Sequence, residues 1–204
     1  MPVISSSACA KLILLGEHAV VYGQPALAIP FSGLKVRCVV EPWINAPTGT
    51  LHIKARELQL NQPLQALPED NFLRKAVELV LAELGVSQTP TCKLTIYSDI
   101  PISAGLGASA AIAVATMRAL SAFLGHPLDK ETLNRLALET EKLMHGNPSG
   151  IDNTVIVYEQ PILFRKGEPI EFVNPSKNLH FLIADSGIKK ATADTVAYLA
   201  QQRE

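Results

Sequence analysis

Cysteine is scarce in this chain of 204 residues: Cys9, Cys38 and Cys92 lie far apart, and no two form a C-x-x-C pair. An odd, scattered set excludes a disulfide framework and a zinc or dithiol motif, and reads as three buried thiols in a reducing compartment. Charge of one sign is also missing, since 18 basic residues face 19 acidic ones. With no basic stripe, bulk electrostatics supports neither nucleic-acid nor membrane-surface binding. No basic region precedes an apolar run at the N-terminus, which reads as no targeting segment and a cytoplasmic setting. The uncharged stretch from Ile100 to Met117 is long enough to raise a membrane span, but Pro101, Gly105 and Gly107 break its first half. It reads as a loop followed by a buried helix. Repeats, low-complexity tracts and a dividing linker are absent. The 48% hydrophobic and 18% charged residues describe a globular chain.

Strand-like segments are Ala10–Leu15, Pro25–Ile29, Leu34–Val40, Leu51–Ala55, Cys92–Ser98, Thr154–Tyr158, Ile162–Phe164 and Leu179–Ala184. Helical periodicity predicts helices over about 71–84, 107–124 and 129–145, with a last one from about Ala191 to the end. Asp70 or Asn71 and then Asp129 stand at cap positions, and Gly85 and Gly146 at stops. Strands come first and mixed elements follow, so the class is α+β rather than a regular βαβ alternation.

Three segments carry chemistry. Pro101 to Ala111 joins a strand to a buried helix through Gly105 and Gly107. Close backbone approach and free helix N–H groups suit an anion, phosphate above all. Ser109 adds a hydroxyl in the first turn. The segment lacks the Lys of a Walker A loop. It also matches G-x-G-x-x-A without the strand that a dinucleotide fold needs before Asp129. On residues alone, phosphate binding and a tight turn packed with small residues stand level. Glu141 falls near a helix C-terminus, where it opposes the macrodipole, and Asp152 follows the loop Gly146–Gly150. Taken alone, a surface pair of Glu141 with His145, and a turn pinned by Asp152, account for these residues more simply. A zinc site is disfavoured because HExxH is absent. Lys11 interrupts an apolar run ahead of Glu17-His18, as a partnered buried lysine or as a side chain snorkelling from an edge strand.

Taken together, Ala10-Lys11 to Ala26 with its Gly-Glu-His-Ala-Val-Val-Tyr-Gly, Pro101 to Ala111, and Glu141 to Asn153 with its His-Gly-Asn-Pro-Ser-Gly-Ile-Asp-Asn resemble the GHMP small-molecule kinases. The likeness is strongest to members that phosphorylate mevalonate. It implies an α+β domain like the second domain of ribosomal protein S5 over residues 1–204. Residues 179–204 would lead toward a ferredoxin-like C-terminal domain that this chain lacks. It implies ATP and Mg2+ as cofactors, Ser109 and Glu141 as metal ligands, Asp152 as catalytic base and Lys11 beside it. The nucleotide side is carried onto Ser98, Pro101, Ser103, Ala104, Gly105, Leu106, Gly107, Ala108 and Ser109, and the acceptor side onto Glu17 and His18. Small-molecule partners, mevalonate and ATP, are implied, with a homodimer as the further partner and no nucleic acid or membrane. Ala108 departs from the usual Gly-Leu-Gly-Ser-Ser and removes one hydroxyl. The rival readings are a GHMP kinase acting on another small alcohol and a catalytically silent binding module.

Overall fold

The structure is a computed structural model and describes residues 2–176 and 180–184. Seven strands, β1 (Ile4–Leu15), β2 (Ala26–Pro42), β3 (Leu51–Ala55), β4 (Leu60–Pro63), β5 (Cys92–Ser98), β6 (Ile162–Phe164) and β7 (Glu171–Phe172), form one sheet. Its order is β4-β3-β5-β2-β6-β7, with β1 antiparallel along β2. Only the β3–β5 pairing is parallel among the described strands. The long β2 organises the sheet, taking β5 over Val36–Pro42 and β6 over Ala26–Ala28. The two segments expected as separate strands on either side of Pro30 are thus one. A bulge opposite Cys9/Ala10 bends it without ending it.

The described residues also form four α-helices: α1 (Phe72–Glu83), α2 (Ala108–Phe123), α3 (Lys130–His145) and α4 (Ile151–Tyr158). The expected caps are in place. Asn71 accepts from the N–H groups of Leu73 and Arg74, and Asp129 accepts from Thr132. Helix α2 is buried almost throughout. Its alanines, among them Ala111, Ala115 and Ala119, let it lie close on β1 and β2 with α1 and α3 beside it. The main core joins Val36, Val40, Ile53, Leu94 and Ile96 of the sheet to Leu73, Val77 and Val80 of α1. Cys38 and Cys92 sit in it as free thiols, pushed by burial up to about 12, and Cys9 is also free and buried.

Two further expectations fail. Thr154–Tyr158 is not a strand but the body of α4. Its Ile156 and Val157 face the main core. Ile151 and Val155 pack in a second cluster with Val20, Ala28, Ile162 and Phe164. Burial on both sides gives the helix an unbroken β-branched run, which a sequence pattern cannot tell from a strand. The other failure is His180–Ala184, which has no regular structure; Leu182 is almost wholly exposed. Leu179 and the helix expected from Ala191 lie outside the described residues. Strands β4 and β7, too short for a visible alternation, were not anticipated.

Arg118, the one charged residue of α2, ties three elements together. It donates to the carbonyls of Ser7 in β1 (2.8 Å) and Val157 in α4 (2.9 Å), and pairs with Glu159 at 2.6 Å. Val157 lies in the last turn of α4, where carbonyls have no partner within the helix. Replacing Arg118 by Met should therefore lower unfolding stability by about 1–3 kcal/mol, the worth of hydrogen bonds to a charged donor. Urea unfolding with an unchanged m-value checks this, and an unaltered midpoint would show that the contact contributes nothing.

Candidate active site

The bulge before Ala10 lets β1 bury Ala8, Cys9, Ala10 and Lys11 in succession, where a one-sided strand would bury alternate residues. Lys11 is only 3% exposed. Its Nζ lies 3.0 Å from Asp152 Oδ1 and 4.0 Å from Glu17 Oε1. A buried ammonium requires such a partner, since desolvation without one is prohibitive. Asp152 stands in the first turn of α4, beside the helix start rather than in a loop. Its carboxylate suits the positive end of that helix.

The glycine-rich loop meets the same lysine. The Lys11 backbone N–H donates to Leu106 O at 3.1 Å. Gly107 has φ +74°, and a Cβ there would lie 2.9 Å from Lys11 Cγ and 3.1 Å from Ile156 Cδ1. Only a residue without a side chain permits this packing. Gly107 also starts α2 with no side-chain cap, leaving the first-turn N–H groups without a side-chain acceptor. Gly16 does similar work at the end of β1, where its φ of +85° and the nearby Pro25 carbonyl exclude a Cβ. That explains the glycine ahead of Glu17-His18.

Ser109, in the first turn of α2, donates from Oγ to Glu141 Oε1 at 3.2 Å. The two helix ends therefore face each other, as a shared ligand would require. Glu141 is 5% exposed, and His145 Nε2 lies 3.7 Å from its Oε2. The pairing with His145 exists, but it is not a surface pair. Burial, aided by the nearby Asp152 charge, pushes the Glu141 carboxyl up to about 7, against the Ser109 bond and Lys11. Ser109 and Glu141 offer hard oxygen donors of the kind Mg2+ takes. Among the described residues no group of three or more His, Cys, Asp or Glu could hold a metal by itself. Such a pair fits an ion that keeps waters and takes its remaining oxygens from a phosphate.

Other expected residues are less engaged. The Ser98 hydroxyl closes a local turn, donating to Ile100 O and accepting from Ile100 N–H. Pro101, Ser103 and Gly105 are exposed along the loop, Ala104 is half-buried, and Ala108 is buried at the start of α2. Glu17 is exposed, and His18 is half-buried ahead of the short turn Ala19–Tyr22. Sequence reasoning missed the role of Asn153, whose amide bonds across to Asn134 of α3. Its place beside Asp152 was the one visible signal. A cavity of about 210 Å³ at the β1–β2 bulge, lined by Ser7, Cys9, Pro30, Ser32, Lys35 and Glu159, contains none of the site groups.

A mixed sheet backed by helices thus sets a lysine–aspartate pair against a glycine loop. Residues 71–160 match the family described as GHMP kinases N terminal domain. Mevalonate kinases are among this chain's relatives. The enzyme of that name from Pyrococcus horikoshii is 34% identical over 218 aligned positions, covering 98% of this chain and 62% of the relative. The structure of L. major mevalonate kinase in complex with R-mevalonate is 28% identical with a TM-score of 0.69, covering 98% of this chain and 62% of that one. Methanococcus jannaschii mevalonate kinase shares the fold, with a TM-score of 0.73 over 85% of this chain and 56% of that one. The chain thus spans about three fifths of the length of the mevalonate kinases it matches. No described helix is long and apolar enough to cross a membrane.

Glu141 makes stability depend on pH with a definite sign. The folded protein holds its proton up to about pH 7, against an ordinary value of 4.5. Between those values the folded state binds more protons than the unfolded one, so stability falls as pH rises through the window. At 1.36 kcal/mol per unit the loss is roughly 3 kcal/mol. With a chelator present, the wild type should lose this stability between pH 5 and pH 8 relative to Glu141→Gln. Parallel urea-unfolding profiles for the two proteins would show that Glu141 does not titrate in this range.

Proposed function

We propose that this domain belongs to a mevalonate kinase, which transfers the γ-phosphoryl group of ATP to the primary hydroxyl of (R)-mevalonate. The observation that carries the reading is the buried Lys11–Asp152 pair at 3.0 Å, next to the Gly107 turn into the helix that bears Ser109. Phosphoryl transfer needs positioning and charge neutralisation more than covalent chemistry. In this reading Asp152 accepts the proton of the attacking hydroxyl and Lys11 stabilises charge on the transferring group. The backbone of Pro101–Ala108 and the hydroxyl of Ser109 hold the phosphates, with Ser98 toward the nucleotide. Glu17 and His18 face the acceptor. Ser109 and Glu141 would hold Mg2+, which supplies charge neutralisation of the phosphates when bound.

The relatives named mevalonate kinase, and one solved with R-mevalonate, support the choice of acceptor. In the same reading residues 1–204 form an N-terminal domain, with 179–204 leading toward a second, ferredoxin-like one. The enzyme works in the cytoplasm as a homodimer. A silent module is less favoured because the four groups are present and paired, and a different small alcohol because the relatives are named for mevalonate.

Labelled phosphate transfer from ATP to mevalonate, galactose and homoserine by the full-length protein tests the reading. Mevalonate should be the substrate, and turnover confined to another alcohol would reassign it. Asp152→Asn should lower kcat by at least ~10² with little change in KM for ATP, as expected on losing a general base. Near-normal turnover in that variant would remove Asp152 from the mechanism.

A further inference from the structure

Helix α4 presents Asp152 from a short and weakly begun element. It has eight residues, its N-cap Gly150 (φ +90°) offers no side chain, and Ser149 Oγ accepts from the Ile151 N–H only at 3.4 Å. Helices this short are marginal by themselves, and their first turns fray. Asp152 must also be held near Glu141, a second carboxylate, on the neighbouring α3. A first turn that frays would carry Asp152 away from both Lys11 and Glu141.

Asn153, the next residue, opposes that movement. It is 1% exposed. Its Nδ2 donates to Asn134 Oδ1 at 2.6 Å and to the Asn134 backbone O at 3.3 Å. Asn134 is on α3, the helix that carries Glu141 two turns later. The fork fixes both the separation of α3 and α4 and the rotation of the first turn of α4 about its own axis. It comes with a penalty, since Asn153 Oδ1 is buried without a partner among the described residues. A buried polar atom left unpaired costs its full desolvation. Ile151 and Val155 show that apolar side chains pack well at neighbouring positions of α4. An apolar residue at 153 would avoid the orphaned oxygen but would set no direction.

We infer that Asn153 is a positioning residue: through its amide fork to Asn134 it sets the Asp152 carboxylate in place relative to Lys11 and to the Ser109–Glu141 pair. The catalytic consequence rests on the function proposed above. Asn153 touches no reacting atom in this scheme and acts through Asp152.

The test uses the full-length protein with ATP, Mg2+ and mevalonate, in two readouts. In Asn153→Asp a carboxylate faces the Asn134 carbonyl, and kcat should fall about 30-fold or more while KM for both substrates stays within about threefold. Asn134→Asp keeps an acceptor for the same amide and should stay within about threefold of wild type. Asn153→Ala should cost little in an Asp152→Asn background, because a residue acting through another has nothing left to position. Near-normal kcat in Asn153→Asp, a loss carried by KM alone, or equal losses from Asn153→Ala in both backgrounds would each overturn the inference. Where Asn153→Asp does not fold, Asn134→Ala is held to the same criteria. The second readout is hydrogen exchange at the amides of Thr154 and Val155, which needs no turnover. It should quicken about tenfold or more in Asn153→Ala and stay unchanged in Asn134→Asp, and unchanged exchange in both would overturn the positioning role. If the wild type fails to phosphorylate mevalonate, the proposed function falls, and exchange alone decides whether Asn153 positions α4.

Discussion

A lysine ammonium buried beneath a glycine turn is the constraint around which the rest is arranged. Lys11 is taken out of water on β1, and among the described residues only the Asp152 carboxylate at 3.0 Å compensates it closely. That need dictates what surrounds it. Gly107 lacks a side chain because the lysine stem occupies the space. Leu106 supplies a carbonyl to the lysine backbone, so the loop cannot drift from β1. The bulge in the β1–β2 pairing allows the run of buried residues that ends at Lys11. A buried ion pair is a poor source of net stability, and its value lies in what it places together.

The partner of that lysine sits on the least self-sufficient helix of the fold. Helix α4 bridges two hydrophobic clusters and is anchored by side chains of other elements. Asn153 ties its start to α3, and Arg118 ties its end to α2 and β1. Strand β1 and helices α2, α3 and α4 each bring one of Lys11, Ser109, Glu141 and Asp152. The polar anchors cross between these same elements. Apolar packing alone would leave the rotation of so short a helix poorly determined, because methyl contacts carry little directional preference.

Two carboxylates of unlike surroundings result. Glu141 is desolvated and keeps its proton to about pH 7, while Asp152 is partly exposed and paired with an ammonium. Environments that separate neighbouring acids divide their roles. In the proposed function the division falls between a group that receives a proton and one that holds a cation. The pairing of Ser109 with Glu141 joins the first turn of α2 to the C-terminal part of α3, so the N-terminal end of one helix lies against the carboxylate of the other.

Much of this was legible in the residues. Asn71 and Asp129 marked helix starts because capping is a local matter. The alternation of Cys92–Ser98 marked a half-buried strand for the same reason. Residue type also exposed the chemistry: a lysine inside an apolar run, glycines ahead of an alanine-rich helix, and acids on either side of a glycine loop. Tertiary structure alone decided how they meet. Lys11 and Asp152 are far apart in sequence, and no local pattern announces their 3.0 Å contact. The run Thr-Val-Ile-Val-Tyr has the composition of a strand and forms a helix, because burial on two sides overrides a weak local preference. Asn153 was visible as a residue but not as a lock. A side-chain amide takes its meaning from the acceptor it faces, and only the packing of α4 on α3 supplied that acceptor.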